Sequence, residues 1–312
     1  MSTQLLDNPS PAEVRPDRKT IFQCLEDPRA VAVLPSLQSI LSELEALTKR
    51  GGSHMDEITR LVRQDQSVSM QVLRIANSAY YAPSSPIADV PAALLYIGLN
   101  TLRGAVASTR CMEKTCHIEQ DILDWKEFWI HSAGVGHLTM ELASRLRDPG
   151  LPFESFYLMG LFHDIGKVVL ACLMPEEFTE IYTRAAAEGA PSAAVLEMEV
   201  LGVDHGLIGA WYMERQGIPL TLREPVRFHH SGIMEDKPFF QHATLIRLAD
   251  RLVHAAELGQ SGNHPTDDPY ASPEWEWYRV QREPERGDEK VARASVGRQI
   301  AKISCLVRET IH

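Results

Sequence analysis

Unbroken apolar runs are missing from this chain of 312 residues. None approaches the roughly 20 residues needed to span a bilayer, which argues against a membrane-crossing segment. The first residues, MSTQLLDNPSPAEVRPDRK, have neither a leading basic cluster nor an apolar core, so no secretion signal is expected and a cytoplasmic protein is predicted. Cysteine is scarce. The five present, Cys24, Cys111, Cys116, Cys172 and Cys305, are odd in number and form no CxxC pair. That excludes a disulfide framework and a zinc ribbon, and fits reduced thiols. Basic residues are outnumbered, 31 against 42 acidic, and the formal charge of -11 argues against generic nucleic-acid or anionic-membrane binding. Period-two alternation is nowhere sustained and no internal repeat is visible, so neither a sheet nor a solenoid is expected. No receiver or DNA-binding segment is recognisable, so an input would come from a separate protein or a diffusible ligand.

What is present is helical. An apolar fraction of 44% suffices for a sizeable core, and the length favours two lobes with short tails. Residues 1–28 are polar and proline-bearing and read as an arm. Leu34, Leu37, Leu41, Leu44 and Leu47 recur at helical spacing up to Gly51 and Gly52. Ser53 then caps a second helix with Asp56 in its first turn. SMQVLRIANSAYY supplies a third, APSSPIADV breaks it, and PAALLYIGLNTLRGAVAST continues as helix through Gly98. From Asp124, an N-cap, WKEFWIHSAGVGHLTMELASRL reads as one amphipathic helix. Residues 156–174 form a helix apolar on nearly every side and therefore buried, ended by Pro175. More helices are predicted over 176–188, 192–201, 204–216, 221–230 and 239–258. Residues 259–288, rich in glycine, proline and charge, read as a linker, and an amphipathic helix over 290–310 either docks on the body or mediates pairing. The expected organisation is an arm (1–28), a helical lobe (29–120), a second helical lobe (121–258) and a linker with a terminal helix (259–312).

Polar residues inside the apolar segments point to chemistry. GLFHDIGKVVLA buries His163 and Asp164, and an unpaired buried carboxylate costs several kcal/mol, so Lys167 or a metal cation must meet it. His131 falls on the stripe Phe128, Val135, Leu138 and Leu142 and points inward, whereas His137, about 240 degrees round, is expected at the surface. Asp250 lies on the apolar face of Ala243, Ile246 and Val253. His205 follows Asp204 at a helix start, where the macrodipole favours neutral imidazole. His229 and His230 close TLREPVRFHH, where they serve either the helix C-terminus or a ligand set.

The ordered set His131, His163-Asp164, His205, His229-His230 and Asp250 resembles the ligand order of HD-superfamily metal-dependent phosphohydrolases, HD-GYP enzymes in particular. LPSLQSIL, LRIANSAYYAPSSPIADVPAALLYIGLNTLR, FWIHS, FHDIGKVVL, VLGVDHGLIGAWYMERQGIP and LADRL make the chain similar to the HDOD family, the HD-related output domain of bacterial signalling proteins, over roughly residues 30–258. The resemblance implies an all-α fold, a multi-helical HD-domain-like bundle with an N-terminal helical lobe. It also implies a first metal site of His131, His163, Asp164 and Asp250. Asp164 would bridge to a second ion on His205, His229 and His230. Iron, manganese and zinc all suit such ligands. Asp164 and Lys167 are the implied catalytic pair, Lys167 contacting a phosphate or neutralising Asp164. HHSGIMEDKPFFQ contains no GYP motif, which counts against cyclic-di-GMP hydrolysis. The expectation is a signalling regulator with a metal site and a protein partner or small nucleotide ligand, with an active phosphohydrolase as the alternative. Asn77, Ser78, Tyr80, Gly98, Asn100 and Arg103 are expected to cap helices and fix lobe packing, and Trp125, Phe128 and Trp129 to lie in the core.

Overall fold

The computed structural model describes residues 20–27, 55–64, 66–115, 122–146, 150–187, 189–232, 239–263, 267–281 and 289–311, with the single positions 34, 36, 37, 42 and 118. Most of the expected arm, most of the leucine helix over 34–47 and the Ser53 cap lie outside the described residues. Within them the protein is all-α, with no strand. In chain order the helices are α1 (Ile21–Glu26), α2 (Met55–Gln64), α3 (Gln66–Ala76), α4 (Val90–Thr115), α5 (Trp125–Ala143), α6 (Phe153–Phe162) and α7 (Ile165–Leu173). They continue with α8 (Pro175–Ala185), α9 (Ala193–Leu201), α10 (His205–Arg215), α11 (Leu220–Phe228), α12 (Phe240–Ala255), α13 (Pro273–Gln281) and α14 (Glu289–Thr310).

α1 starts in a capping box, Thr20 Oγ1 accepting from Gln23 N and Gln23 Oε1 from Thr20 N, and sets Phe22 edge-on against Trp211 of α10, ring centres 4.1 Å apart. The helix expected to run straight through Gly98 bends there by 93°. Gly98 has φ 77 and ψ 165, backbone that essentially only glycine adopts, so the bend is written into that residue. Asn77 staples the preceding loop: its amide donates to Leu73 O and Ile87 O and accepts from Ile87 N. That is the structural role expected of it.

α5 is the helix on which α4, α6, α12 and α14 converge. Small residues bring it against α6, and a Cβ at Gly160 would stand 2.6 Å from Gly136 Cα. Tyr157 ties this joint to α4, donating to Gly104 O at 3.0 Å and sharing a hydrogen bond with Ser108. Asp124 caps α5 as expected, but the helix is buried from Phe128 through Thr139 rather than amphipathic. The reason is that α4, α6, α12 and α14 all pack on it. α14 docks on the body through Val296, Ile300, Ile303 and Val307. His137, expected at the surface, is therefore only 9% exposed, its ring 4.8 Å from that of Tyr157.

Burial drives the His137 pKa down to about 4. An unfolded histidine titrates near 6.5, so between that pH and about 4 the unfolded chain binds the extra proton. Stability tied to His137 is complete above about pH 6.5 and falls as the pH drops through this window, by roughly 3 kcal/mol. His137→Leu should flatten that part of the pH dependence, read as urea midpoints at pH 7.5 and 4.5.

The described parts of the expected linker, 259–263 and 267–281, are also structured. A short 3-10 turn, Pro269–Ala271, leads into α13, where Trp275 and Tyr278 are buried against α12 and its surroundings. Its glycines, prolines and charges hide an aromatic anchor, the WEWY of residues 275–278. The 19 residues Ser155–Leu173 are long and apolar enough to cross a membrane, contrary to the sequence expectation. They are mostly buried inside the protein and broken at His163-Asp164.

Candidate metal centre

The helix expected over 156–174 is two helices, α6 and α7, joined by a turn at His163 and Asp164. In an unbroken helix adjacent side chains diverge by about 100 degrees. Asp164, at φ -98 and ψ 10, leaves helical geometry and lets both side chains face one point. His163 Nδ1 donates to Gly160 O at 2.7 Å, and an N–H facing a carbonyl there leaves Nε2 with its lone pair. His229 repeats the device at the end of α11, its Nδ1 donating to Val226 O at 2.6 Å. His205, at the start of α10, is anchored differently: Nδ1 and the backbone N both donate to Glu197 Oε2, at 2.6 and 2.7 Å. Tyr182 holds the other oxygen of Glu197 at 2.7 Å.

These anchored rings converge on Asp164. Its Oδ1 lies 2.9 Å from His205 Nε2 and 3.8 Å from His229 Nε2, while Oδ2 lies 3.4 Å from His163 Nε2. His230 Nε2 is 2.7 Å from His205 Nε2. On the other side His131 Nε2 stands 3.0 Å from Asp250 Oδ1, and His163 Nε2 3.7 Å from the same oxygen. All seven residues singled out as ligands are thus gathered, in overlapping groups that share Asp164 and His131. Lys167, the eighth, donates to Asp164 Oδ2 at 2.7 Å and to Ser261 O at 2.9 Å.

Several inward atoms are close without being hydrogen-bonded. His131 Nε2, His163 Nε2 and His229 Nε2 are buried with no well-aligned hydrogen-bond partner, and Asp164 Oδ1 and Asp250 Oδ1 face imidazole nitrogens, 2.9 Å from His205 Nε2 and 3.0 Å from His131 Nε2 respectively. Buried polar atoms left in this way are expensive, and imidazole and carboxylate atoms aimed at shared points suit a cation. Burial pushes His131 down to about 4 and, aided by His163 and His205, His229 to about 3, so both rings are neutral, the form a metal ion takes. Burial also favours a protonated Asp164, but His163, Lys167 and His205 outweigh it and hold that carboxyl well below its ordinary range. His205, expected to be neutral at its helix start, is instead lifted to about 9, against its burial, by the carboxylates of Glu197 and Asp164, so an ion bound there would displace its proton. The residues present therefore fit one or two divalent ions bound by imidazole nitrogen and carboxylate oxygen.

Three residues at this centre escaped the sequence reading. His254, one turn after Asp250, sets Nδ1 2.8 Å from Asp250 Oδ1, and its i,i+4 spacing was the available signal. Glu197 is fully buried, whereas Glu199 nearby is exposed and pairs with Arg184. Its phase beside Leu196 could have shown it. Ser261 left no trace in a glycine-rich loop. Glu197→Gln keeps the shape but removes the charge behind His205, and should weaken metal affinity about 10- to 100-fold, measured by chelator competition.

The HDOD domain profile matches residues 34–232, more than half of the chain. The chain belongs to the HDOD family. The fold agrees: the crystal structure of an HDOD domain protein of unknown function from Geobacter sulfurreducens superposes with a TM-score of 0.71 at 23% identity, covering 90% of this chain and 98% of that one. A protein described as a candidate phosphohydrolase from Shewanella amazonensis gives 0.65 at 21% identity over 92% and 98% of the two chains. An HDOD-length match is also found in an uncharacterised protein of Treponema pallidum, 27% identical over 201 residues. That match takes in 64% of this chain and 38% of the Treponema protein, so this chain spans well under two thirds of that relative's length.

Proposed function

We propose that this HDOD chain is a signal-transduction regulator whose buried His and Asp cluster holds one or two divalent ions, and that it works through a protein partner or a small nucleotide ligand. The supporting observation is the set of inward Nε2 and carboxylate atoms left without hydrogen bonds around Asp164 and Asp250. His131, His163, Asp164 and Asp250 would hold the first ion, and His205, His229 and His230 the second, with Asp164 shared. Enclosure favours a binding role over turnover, because Asp164 is 1% exposed and Lys167 not at all.

The sharing of Asp164 between two ligand groups favours a second reading, metal-dependent hydrolysis of a phosphoester. Bound ions there would supply an acidified water and charge for phosphate oxygens. Lys167, held on Asp164, would orient one of those oxygens.

Elemental analysis of the anaerobically purified full chain, alongside turnover of a generic phosphodiester and a nucleotide panel with added manganese or iron, separates the readings. One or two ions per chain without turnover is expected. Turnover that disappears in Asp164→Ala would establish the enzyme instead, and a metal-free protein with all seven ligands intact would overturn the metal site.

A further inference from the structure

After α12 the chain folds back across the metal centre as a short strap, residues 258–262. Every step of it is seated on something that shapes the centre. Leu258, 1% exposed, packs where a Cβ on Gly134 of α5 would fall, at 2.9 Å. Gly259, at φ 74, lies so close to the backbone of Glu127 and His131 that a Cβ there would overlap both. Gln260 N donates to Glu127 O at 3.1 Å. Gly262, at φ 78, presses on Tyr182, where a Cβ would come within 2.6 Å of the ring. Tyr182 is the residue that fixes Glu197, and Glu197 fixes His205.

Ser261, fully buried, sits in the middle of this strap. Its Oγ is hydrogen-bonded to His254 Nε2 at 2.9 Å, and His254 Nδ1 donates to the Asp250 main-chain carbonyl at 3.0 Å while standing 2.8 Å from Asp250 Oδ1. Its carbonyl accepts from Lys167 Nζ at 2.9 Å, and Lys167 reaches Asp164 Oδ2 at 2.7 Å. One residue thus ends two separate chains, each of which starts at a carboxylate of the candidate centre. The side chain leads to Asp250 through His254, and the main chain leads to Asp164 through Lys167. Neither chain involves a part of the sequence matched by the family profile at its Ser261 end, since that match stops at residue 232.

We propose that Ser261 is a positioning residue for both carboxylates, through which the segment after α12 controls how the two ions are held. The inference rests on the metal reading above and adds the route by which a rearrangement of the C-terminal segment would reach the ions. Orienting hydrogen bonds behind metal ligands of this kind carry about 10- to 100-fold in affinity.

Because the side chain and the carbonyl serve different carboxylates, a side-chain substitution should divide the two ions. The test is calorimetric titration of the EDTA-treated full chain with Mn2+, for wild type, Ser261→Ala and Ser261→Thr. Ser261→Ala should weaken the ion that depends on Asp250 at least about tenfold and leave the ion on His205, His229 and His230 within about threefold. Ser261→Thr, which keeps the hydroxyl, should restore the first. The thermal midpoint of the metal-free proteins serves as the control for a general loss of packing. A Ser261→Ala protein that binds both ions as wild type does, or weakens both alike, overturns the strap's role and leaves the metal reading standing. A wild-type chain that takes up no Mn2+ overturns both together.

Discussion

Asp164→Ala should leave the protein unable to retain either ion, with less than a tenth of the wild-type metal content after gel filtration. The two ligand groups meet at this side chain, so its removal takes one ligand from each. The same change leaves Lys167 fully buried with only the Ser261 carbonyl as partner. Breaking one side of a buried ion pair typically costs about 3–5 kcal/mol, so the metal-free variant should also unfold at clearly lower urea concentration than wild type. The double variant Asp164→Ala with Lys167→Met removes the stranded charge. It should recover much of the stability and none of the metal binding, which separates the two roles of Asp164. Retention of a full metal complement by Asp164→Ala would contradict the assignment of the bridging ligand.

Gly166→Ala is the second large effect. α7 crosses α10 at Gly166 and Gly209, and a Cβ on Gly166 would overlap the carbonyl of His205 and stand 2.8 Å from Gly209 N. These are backbone atoms, so no side chain can swing aside. The helices would have to part, at a cost of at least about 3 kcal/mol, toward the upper end for overpacking a close-packed joint. The parting separates His163 and Asp164 from His205, so thermal stability and the second ion should be lost together. Circular dichroism melts and metal content on the same samples check this, and a variant that melts like wild type would show that the crossing is looser than the geometry requires.

Much of this centre is legible in the sequence because burial and polarity conflict there. His131, His163, Asp164 and Asp250 stand on apolar stripes, and such residues need a partner whatever the fold. Their orders and the flanking motifs then identify the family. What periodicity could not convey is where a helix stops. Apart from Ser155, His163, Asp164 and Lys167 the run from 155 to 173 is apolar, and only the backbone shows that it turns at His163-Asp164 so that both residues face inward. His137 was misplaced for a related reason. A helix wheel assigns one face to solvent, but on α5 the ring of Tyr157, from α6, packs against His137 there. The supporting residues were the least visible. Glu197 and Ser261 act through hydrogen bonds to other side chains, and a residue type common on surfaces and in loops carries no mark of such a partner.

The Lys167 bond to the Ser261 carbonyl spans 94 residues of sequence. Contacts of that separation close late, after the loop entropy between them has been spent. During synthesis the turn at His163-Asp164 is made long before the strap that finishes its surroundings, so an emerging chain carries a charged, half-assembled cluster in an otherwise apolar lobe. The strap that carries Ser261 therefore closes over the cluster last, and until it does Lys167 has Asp164 as its partner without the second one that the finished fold supplies.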